Sequence, residues 1–588
     1  MQALQVVAPE RRPAPSFPIL AGMVCACAIP PLVAYNPVST SSIFCQLLAI
    51  AGWGLVMIAM GARPLRWSGG ALNWALLILA LAPWVSVFSA GSPVSLALSS
   101  SGILVLAMLI YQLGHGLEAR AGVSCSRAVW FEAVSWAFFV TAFFCSLVAL
   151  IQVFLPAVAD GDFIARTSIT GRAIGNMRQP NHLALFLLLG VAGGVYLADR
   201  GRFQFVFGRE LFGLLQFGFV LGVALTASRA ALACLVVLSV WGWIDKRLGR
   251  NTRWVLKTIP LALLLSWVLI AIWAQNSQVQ FHAASRLNEG LGSPKRWLVL
   301  SDAWSLLKQH PWAGIGWGEF NFAWTMVENS SRAMPAFDHT HNLLMQLLLE
   351  LGWPVGGLVL FLVFKTLFQL FKFSVNETTE DASLYRCALL MVGSVLIFSM
   401  VEFPFWYAYF LFPMVFVLGM TASGARSVRL RDQAYAAIPA KYLGALALVI
   451  SVTAYLDYLR IVVIRDESGL DIPIWENVVE AQQRSVLFPV YADRYAALML
   501  SPGRDALVAA RRAAHLICDE PLLMSWSKSL AAEGDLDRAR YVAQRLREFK
   551  TPQVNDWFEV CNKPPSTAKV LPYQCQAPER RYDLHEMR

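Results

Sequence analysis

The sequence predicts an all-α, polytopic membrane protein with a long extracytoplasmic loop and a soluble helical tail. Three observations carry that reading. Of its 588 residues 57% are hydrophobic and only 15% are charged, and the mean hydropathy is +0.53. Apolar windows of about 18–22 residues, each able to cross a hydrocarbon core, recur from near residue 17 to near 463. After that point the composition changes to that of a soluble helical segment.

In chain order, the windows place spans near 17–35, 43–61, 71–90, 94–113, 131–155, 181–198, 210–227, 230–245, 255–274, 341–364, 384–402, 405–422 and 441–463, a bundle of about 12–13 helices. The first follows Pro9, Arg11, Arg12, Pro13 and Pro15 without a convincing cleavage site, so it reads as an uncleaved anchor. Lys and Arg set the orientation. With the N-terminus inside, cytoplasmic connections collect Arg63 and Arg66, Arg120 and Arg127, Arg200, Arg202 and Arg209, and Lys246 with Arg247, Arg250 and Arg253. Lys372, Arg386, Arg426, Arg429, Arg431 and Lys441 continue the pattern. The net charge of +10 is therefore mostly a topology signal and an attraction to anionic membrane lipid. No nucleic acid is implied, because the basic residues alternate with spans instead of forming one patch.

This orientation leaves about 156–180, the turn at 226–229, the loop at about 275–340 and the tail outside the cytoplasm. Arg166, Arg172, Arg178, Arg229, Arg286, Lys295, Arg296 and Arg332 lie there against the charge rule. Binding an anion is the leading explanation. The loop is too long for a bare connector. Within it Arg296 to Leu307 reads as an amphipathic helix with Trp297, Leu300, Trp304 and Leu307 on one face. It ends at His310-Pro311 and turns through Gly314, Gly316 and Gly318. Its aromatics would seat it on the bilayer as a lid or side wall.

The domains read as 1–464, transmembrane, and 465–588, a helical domain outside the cytoplasm. Arg504 to Ile517, Leu522 to Ala532 and Asp537 to Phe549 are helical, and the turn Leu530–Ala539 resembles a tetratricopeptide repeat. Such a short array caps poorly alone, so it should pack on the membrane part, as docking surface or as cap. Of ten cysteines, Cys25, Cys27, Cys45, Cys125, Cys145, Cys234 and Cys387 read as small apolar residues. Of Cys518, Cys561 and Cys575 in the tail, Cys561 with Cys575 is the preferred disulfide, because they bracket a Pro-rich segment. No spacing suggests zinc.

Chemistry concentrates at Asp338-His339-Thr340-His341-Asn342, the seam between the basic loop and an apolar helix. An imidazole can take a proton from an acceptor hydroxyl near neutral pH. Arg172, Arg178, Arg229 and Arg296 can hold a phosphate leaving group without a metal. Singly, such arginines more often snorkel, and such histidines more often close a helix end. Their convergence on one side of the membrane favours the chemical reading. Pro180 and Asn181 suit a helix first turn, whose free N–H groups also favour an anion. Glu402, at the outer end of its span, can orient a histidine or an arginine. Glu350 lies nine residues past His341, about 13–14 Å down the helix, and reads as structural. Asp160-Gly161-Asp162 is a weak metal candidate, because no further acid accompanies the pair.

Taken together, Gln179-Pro180-Asn181-His182-Leu183-Ala184, Ser228-Arg229-Ala230, His310-Pro311-Trp312-Ala313-Gly314-Ile315-Gly316-Trp317-Gly318, His339-Thr340-His341-Asn342 with Glu350-Leu351-Gly352, and Glu402-Phe403-Pro404 resemble the O-antigen ligase/polymerase superfamily. The Gln-Pro-Asn element, Trp406-Tyr407 and the soluble tail make the PglL-type protein O-oligosaccharyltransferases the nearest branch, ahead of the WaaL-type ligases. The resemblance covers roughly 160–420 and, more loosely, the tail. It implies a GT-C-like fold in the bacterial inner membrane and an undecaprenyl-pyrophosphate-linked glycan donor. It also implies transfer at the periplasmic face without metal or cofactor. His341 is implied as the base, with Arg229, Arg296, Arg178 and Arg172 on the donor pyrophosphate and His339, Asn342, Gln179, Asn181 and Glu402 in support. Arg178 stands where many relatives carry another residue. The expected acceptor is a Ser or Thr hydroxyl of a periplasmic or pilus protein. The alternatives are an O-antigen ligase or polymerase and, from another class, a lipid-linked glycan transporter.

Overall fold

The computed structural model describes residues 14–35, 42–63, 65, 67, 69–117, 126–167, 171–277, 294–329, 332, 337–378, 382–422, 438–465, 475–562 and 571–588. Arg11, Arg12, Arg66, Arg120, Cys125, Arg286, Arg426, Arg429 and Arg431 lie outside them. Among the described residues there are no strands. Among the described residues nine helices are long and apolar enough to cross a membrane. Four shorter apolar helices, Phe17–Leu32, Ile43–Ala59, Arg229–Ile244 and Ala408–Ala422, lie over the other expected spans. The chain is an all-α, multi-pass membrane protein.

Lipid tails are as apolar as leucine, so such helices associate through close packing of small residues. Gly114 and Gly419 show this. A Cβ on either would collide with a main-chain carbonyl, that of Phe416 or Tyr111 respectively, so Val94–His115 and Ala408–Ala422 meet backbone to backbone.

The feature that positions the site is a break in the helix Leu343–Asn376. Gly352 has φ 73° and ψ 170°, and Pro354 follows it. A break inside a span frees carbonyls that need new donors. The glycine-rich loop after His310-Pro311 supplies them. Ile315 N–H donates to the Leu349 carbonyl at 3.0 Å and Gly316 N–H to that of Glu350 at 3.2 Å, while Trp353 N–H donates to the Pro311 carbonyl at 2.8 Å. Gly314, at φ 69°, and Gly352 face each other's backbones so closely that neither can carry a Cβ. The loop motif is thus the missing turn of the broken helix.

A second core joins the long loop to the tail. Val299, Ala303, Leu306 and Leu307 of the helix Pro294–Gln309 belong to it with Phe322 and Trp324 of the helix Phe320–Met326, and it continues into Trp526, Leu530, Tyr541 and Leu546 of the tail. Polar contacts fix the join. His515 Nδ1 lies 2.7 Å from Glu319 Oε1, and Cys518 N–H donates to Asn321 Oδ1 at 2.7 Å. Tyr541 donates to the Met326 carbonyl at 2.7 Å, and Arg332 to Glu548 at 2.9 Å. The expected face of the loop helix needs correction. Its buried stripe is Val299, Ala303, Leu306 and Leu307, whereas Trp297 is 71% and Trp304 41% exposed. The helices Leu343–Asn376 and Phe320–Met326, not the bilayer, lie against this helix. Trp304 instead packs edge-on against Trp353, a neighbour of the helix break. Cys561 and Cys575 form the expected disulfide.

Candidate active site

Asn342 ends the loop and caps the helix Leu343–Asn376, its Oδ1 accepting the Met345 N–H at 3.0 Å. His341, just before it, has φ 52°, a left-handed conformation that non-glycine residues seldom adopt. Two contacts hold the turn. Thr340 N–H donates to Gln346 Oε1 at 2.7 Å, and the Thr340 hydroxyl donates to the Asn342 carbonyl at 3.0 Å. The strained turn brings His341 Nδ1 to 3.2 Å from Glu402 Oε2. A carboxylate can only accept, so Nδ1 is the donor of this pair and Nε2 is left out of it.

Glu402, only 4% exposed, is the hub. Its Oε1 accepts from Asn181 Nδ2 at 2.6 Å and from Arg296 Nη2 at 2.8 Å. Its Oε2 takes His341 and, at 3.5 Å, Gln179 Nε2. Burial alone would raise this carboxyl's pKa. The His341 hydrogen bond and charge, with Arg296 beside it, outweigh burial and hold it below the usual value. Glu402 therefore orients a histidine and an arginine together.

Gln179 does two tasks: its Oε1 caps the helix Pro180–Asp199 by accepting the Asn181 N–H at 2.6 Å, while its amide reaches Glu402. Of the other arginines, Arg172 is buried, with Nε on the Thr226 carbonyl at 2.8 Å. Ala173 N–H donates to the Leu225 carbonyl at 3.0 Å. These bonds tie the segment carrying Gln179 and Asn181 to the hairpin carrying Arg229. Arg229 is the first residue of the helix Arg229–Ile244 and half-buried, after Ala227 at φ 52° and the N-cap Ser228. Arg178, at φ 55°, donates to the Ala34 carbonyl at 2.8 Å. His339 stacks on Phe403 at 4.3 Å with Trp406 edge-on at 5.0 Å. Its Nδ1 is 3.2 Å from Asp338 but poorly aligned for a hydrogen bond. His339, His341, Gln346, Glu402, Phe403 and Trp406 line one cleft.

Asp160 serves its own loop. Its Oδ1 accepts the N–H groups of Asp162, Phe163 and Ile164 at 3.1, 2.9 and 3.0 Å. Among the described residues no cluster of three His, Cys, Asp or Glu side chains could hold a metal ion. Gln346 went unnoticed in the sequence, although a polar residue four positions before Glu350 in an apolar helix was a readable signal.

Three family models match the chain: "Protein glycosylation ligase" over residues 173–198, "O-Antigen ligase" over 214–362, and "Virulence factor membrane-bound polymerase, C-terminal" over 386–554. Two relatives come from Acinetobacter baylyi. A general O-oligosaccharyltransferase is 29% identical over 336 residues, 55% of this chain and 56% of the relative. A ComP-specific O-oligosaccharyltransferase is 24% identical over 296 residues, 49% of this chain and 50% of the relative. The resemblance to the PglL-type enzymes is borne out. The chain spans about half the length of the curated relatives it matches. The ligase match encloses Arg229, Arg296 and His341, and the glycosylation-ligase match encloses Gln179 and Asn181. Glu402, which joins the two sets, falls within the third.

Proposed function

We propose that this chain is a PglL-type protein O-oligosaccharyltransferase of the bacterial inner membrane, with its site facing the periplasm. It transfers a preassembled oligosaccharide from undecaprenyl-pyrophosphate to a Ser or Thr hydroxyl of a periplasmic or pilus protein. The observation that carries the reading is the contact of His341 Nδ1 with Glu402, which leaves Nε2 as a base. The acceptor oxygen attacks the anomeric carbon as His341 Nε2 takes its proton. The bond from that carbon to the phosphate oxygen breaks, its electron pair leaves with the pyrophosphate, and configuration inverts. No protein nucleophile is required.

Charge builds on the leaving phosphate, and fixed guanidinium groups stabilise it. Arg296 spends one N–H on Glu402 and is 41% exposed, which leaves further donors for the pyrophosphate. Arg229 binds beside it. Arg172 and Arg178 add positive potential and brace the loops through the Thr226 and Ala34 carbonyls. The arginines take the part of a metal, so transfer proceeds in EDTA. His339 and Asn342 support the His341 turn.

The relative named for ComP favours a protein acceptor. The O-Antigen ligase match favours a second reading in which the same chemistry glycosylates lipid A-core or extends O-antigen. A transporter would carry its charges at the midplane of discontinuous helices; here His341, Glu402, Gln179 and Arg229 sit at helix ends, which supports an enzyme. The test is reconstitution with lipid-linked glycan, a Ser-containing pilin-type protein and lipid A-core. Glycan on Ser or Thr is expected. Glycan on lipid A-core would make it a ligase, chain growth on the carrier a polymerase, and translocation without transfer a transporter.

A further inference from the structure

Gln346 and Glu350, one turn apart in an apolar helix, have no part in the transfer chemistry above. Both are buried, at 2% and 3% exposure. Gln346 Nε2 donates to Glu350 Oε1 at 2.8 Å, and Gln346 Oε1 accepts the buried Thr340 N–H at 2.7 Å. Glu350 also takes a hydrogen bond from the backbone of Gly318, while its carbonyl takes the Gly316 N–H at 3.2 Å. A carboxyl within a span is costly unless it is used. This one accepts from Gln346 and Gly318 together. Glu350 thereby fixes which way the Gln346 amide points, and that choice presents oxygen to Thr340.

We propose that Gln346 and Glu350 are positioning residues that lock the Thr340 amide and so hold His341 in the left-handed conformation that carries Nδ1 to Glu402. The inference rests on His341 being the base, as proposed above. The relay links the glycine-rich loop to the histidine turn, so a residue about two turns below the surface sets geometry at the surface.

The test uses the full chain in detergent with Gln346→Met and Glu350→Gln, which keep side-chain length. Hydrogen exchange over residues 338–342 reads the relay without needing activity. Exchange at Thr340 should quicken by about tenfold or more in Gln346→Met, because its partner is gone. With lipid-linked glycan and acceptor, kcat should fall on the order of 10- to 100-fold, with donor KM within about twofold. Glu350→Gln, which keeps one acceptor for Gln346, should fall between Gln346→Met and the parent in both measurements. Parental exchange at Thr340 in Gln346→Met, or a loss confined to KM, overturns the proposal. A parent that transfers no glycan removes the proposed role of His341, while exchange still decides whether the relay holds Thr340.

Discussion

At the scale of single residues, the site turns on a carboxylate, Glu402, that meets both His341 and Arg296. His341→Ala should lower transfer by roughly 10²–10⁴-fold, the usual contribution of a general base, with the protein still folded in the membrane. Near-parental turnover would remove His341 from the mechanism. Arg296→Lys keeps charge but loses the planar fork that holds Glu402 with one N–H and, on the proposed mechanism, the pyrophosphate with others. It should therefore lose most activity, measured as kcat/KM for the lipid-linked donor. Glu402 also sets a pH dependence. Its native pKa is depressed, so its stabilising contribution is complete above the ordinary value of about 4.3. That contribution is lost as pH falls through the lower native value. The melting temperatures of the parent and Glu402→Gln should differ by a constant amount above about pH 5 and converge at more acid pH. A gap that widens on acidification would contradict the assigned sign. The residue types were readable in sequence, since His341, Arg229 and Glu402 stand out in apolar or wrongly charged surroundings. The pairing was not, because Glu402 follows His341 by 61 positions and only the folded bundle joins them.

At the scale of elements, the spans were legible because crossing a membrane is a local property of length and apolarity. All thirteen expected windows have a helix over them. The break at Gly352 was not legible as such, since Gly and Pro are ordinary inside spans and the freed carbonyls are satisfied by a loop more than thirty positions earlier. Nor was the covered face of Pro294–Gln309, because the elements packed against it, Phe320–Met326 and Leu343–Asn376, are set by the fold and not by the helix's own sequence. Close docking of Gly314 on Gly352 makes a direct prediction. Gly352→Ala must place a Cβ against the Trp312 carbonyl and a non-glycine residue at φ 73°. The clash and backbone strain should each be worth on the order of 1–3 kcal/mol. Thermal unfolding in detergent should show a clear drop and transfer should fall with it, whereas Gly357→Ala, which meets nothing within 4 Å, should be silent. Equal stability of the two variants would mean that the loop does not cap the break.

At the scale of the whole molecule, the tail and the long loop share one core, so the tail cannot act only as a landing surface for acceptors. Without the tail, Phe322 loses His515 and Trp526, Glu319 and Asn321 lose His515 and the Cys518 amide, and Arg332 loses Glu548. The helix Phe320–Met326, which the tail holds, packs in turn on Pro294–Gln309, which carries Arg296, so the loss reaches a partner of Glu402. Deletion should therefore abolish transfer to every acceptor, protein or water, and not shift the choice between them. His515→Ala is the gentler version. It leaves the buried Glu319 side chain without its histidine partner, a cost on the order of 1–3 kcal/mol for a buried group left unsatisfied. Limited proteolysis should then cut between residues 310 and 330 faster than in the parent. The kcat for hydrolysis of the donor should fall in step with the kcat for transfer to protein. If hydrolysis persists at the parental rate while only protein transfer is lost, the tail governs acceptor binding, and its packing on the loop does not govern the site.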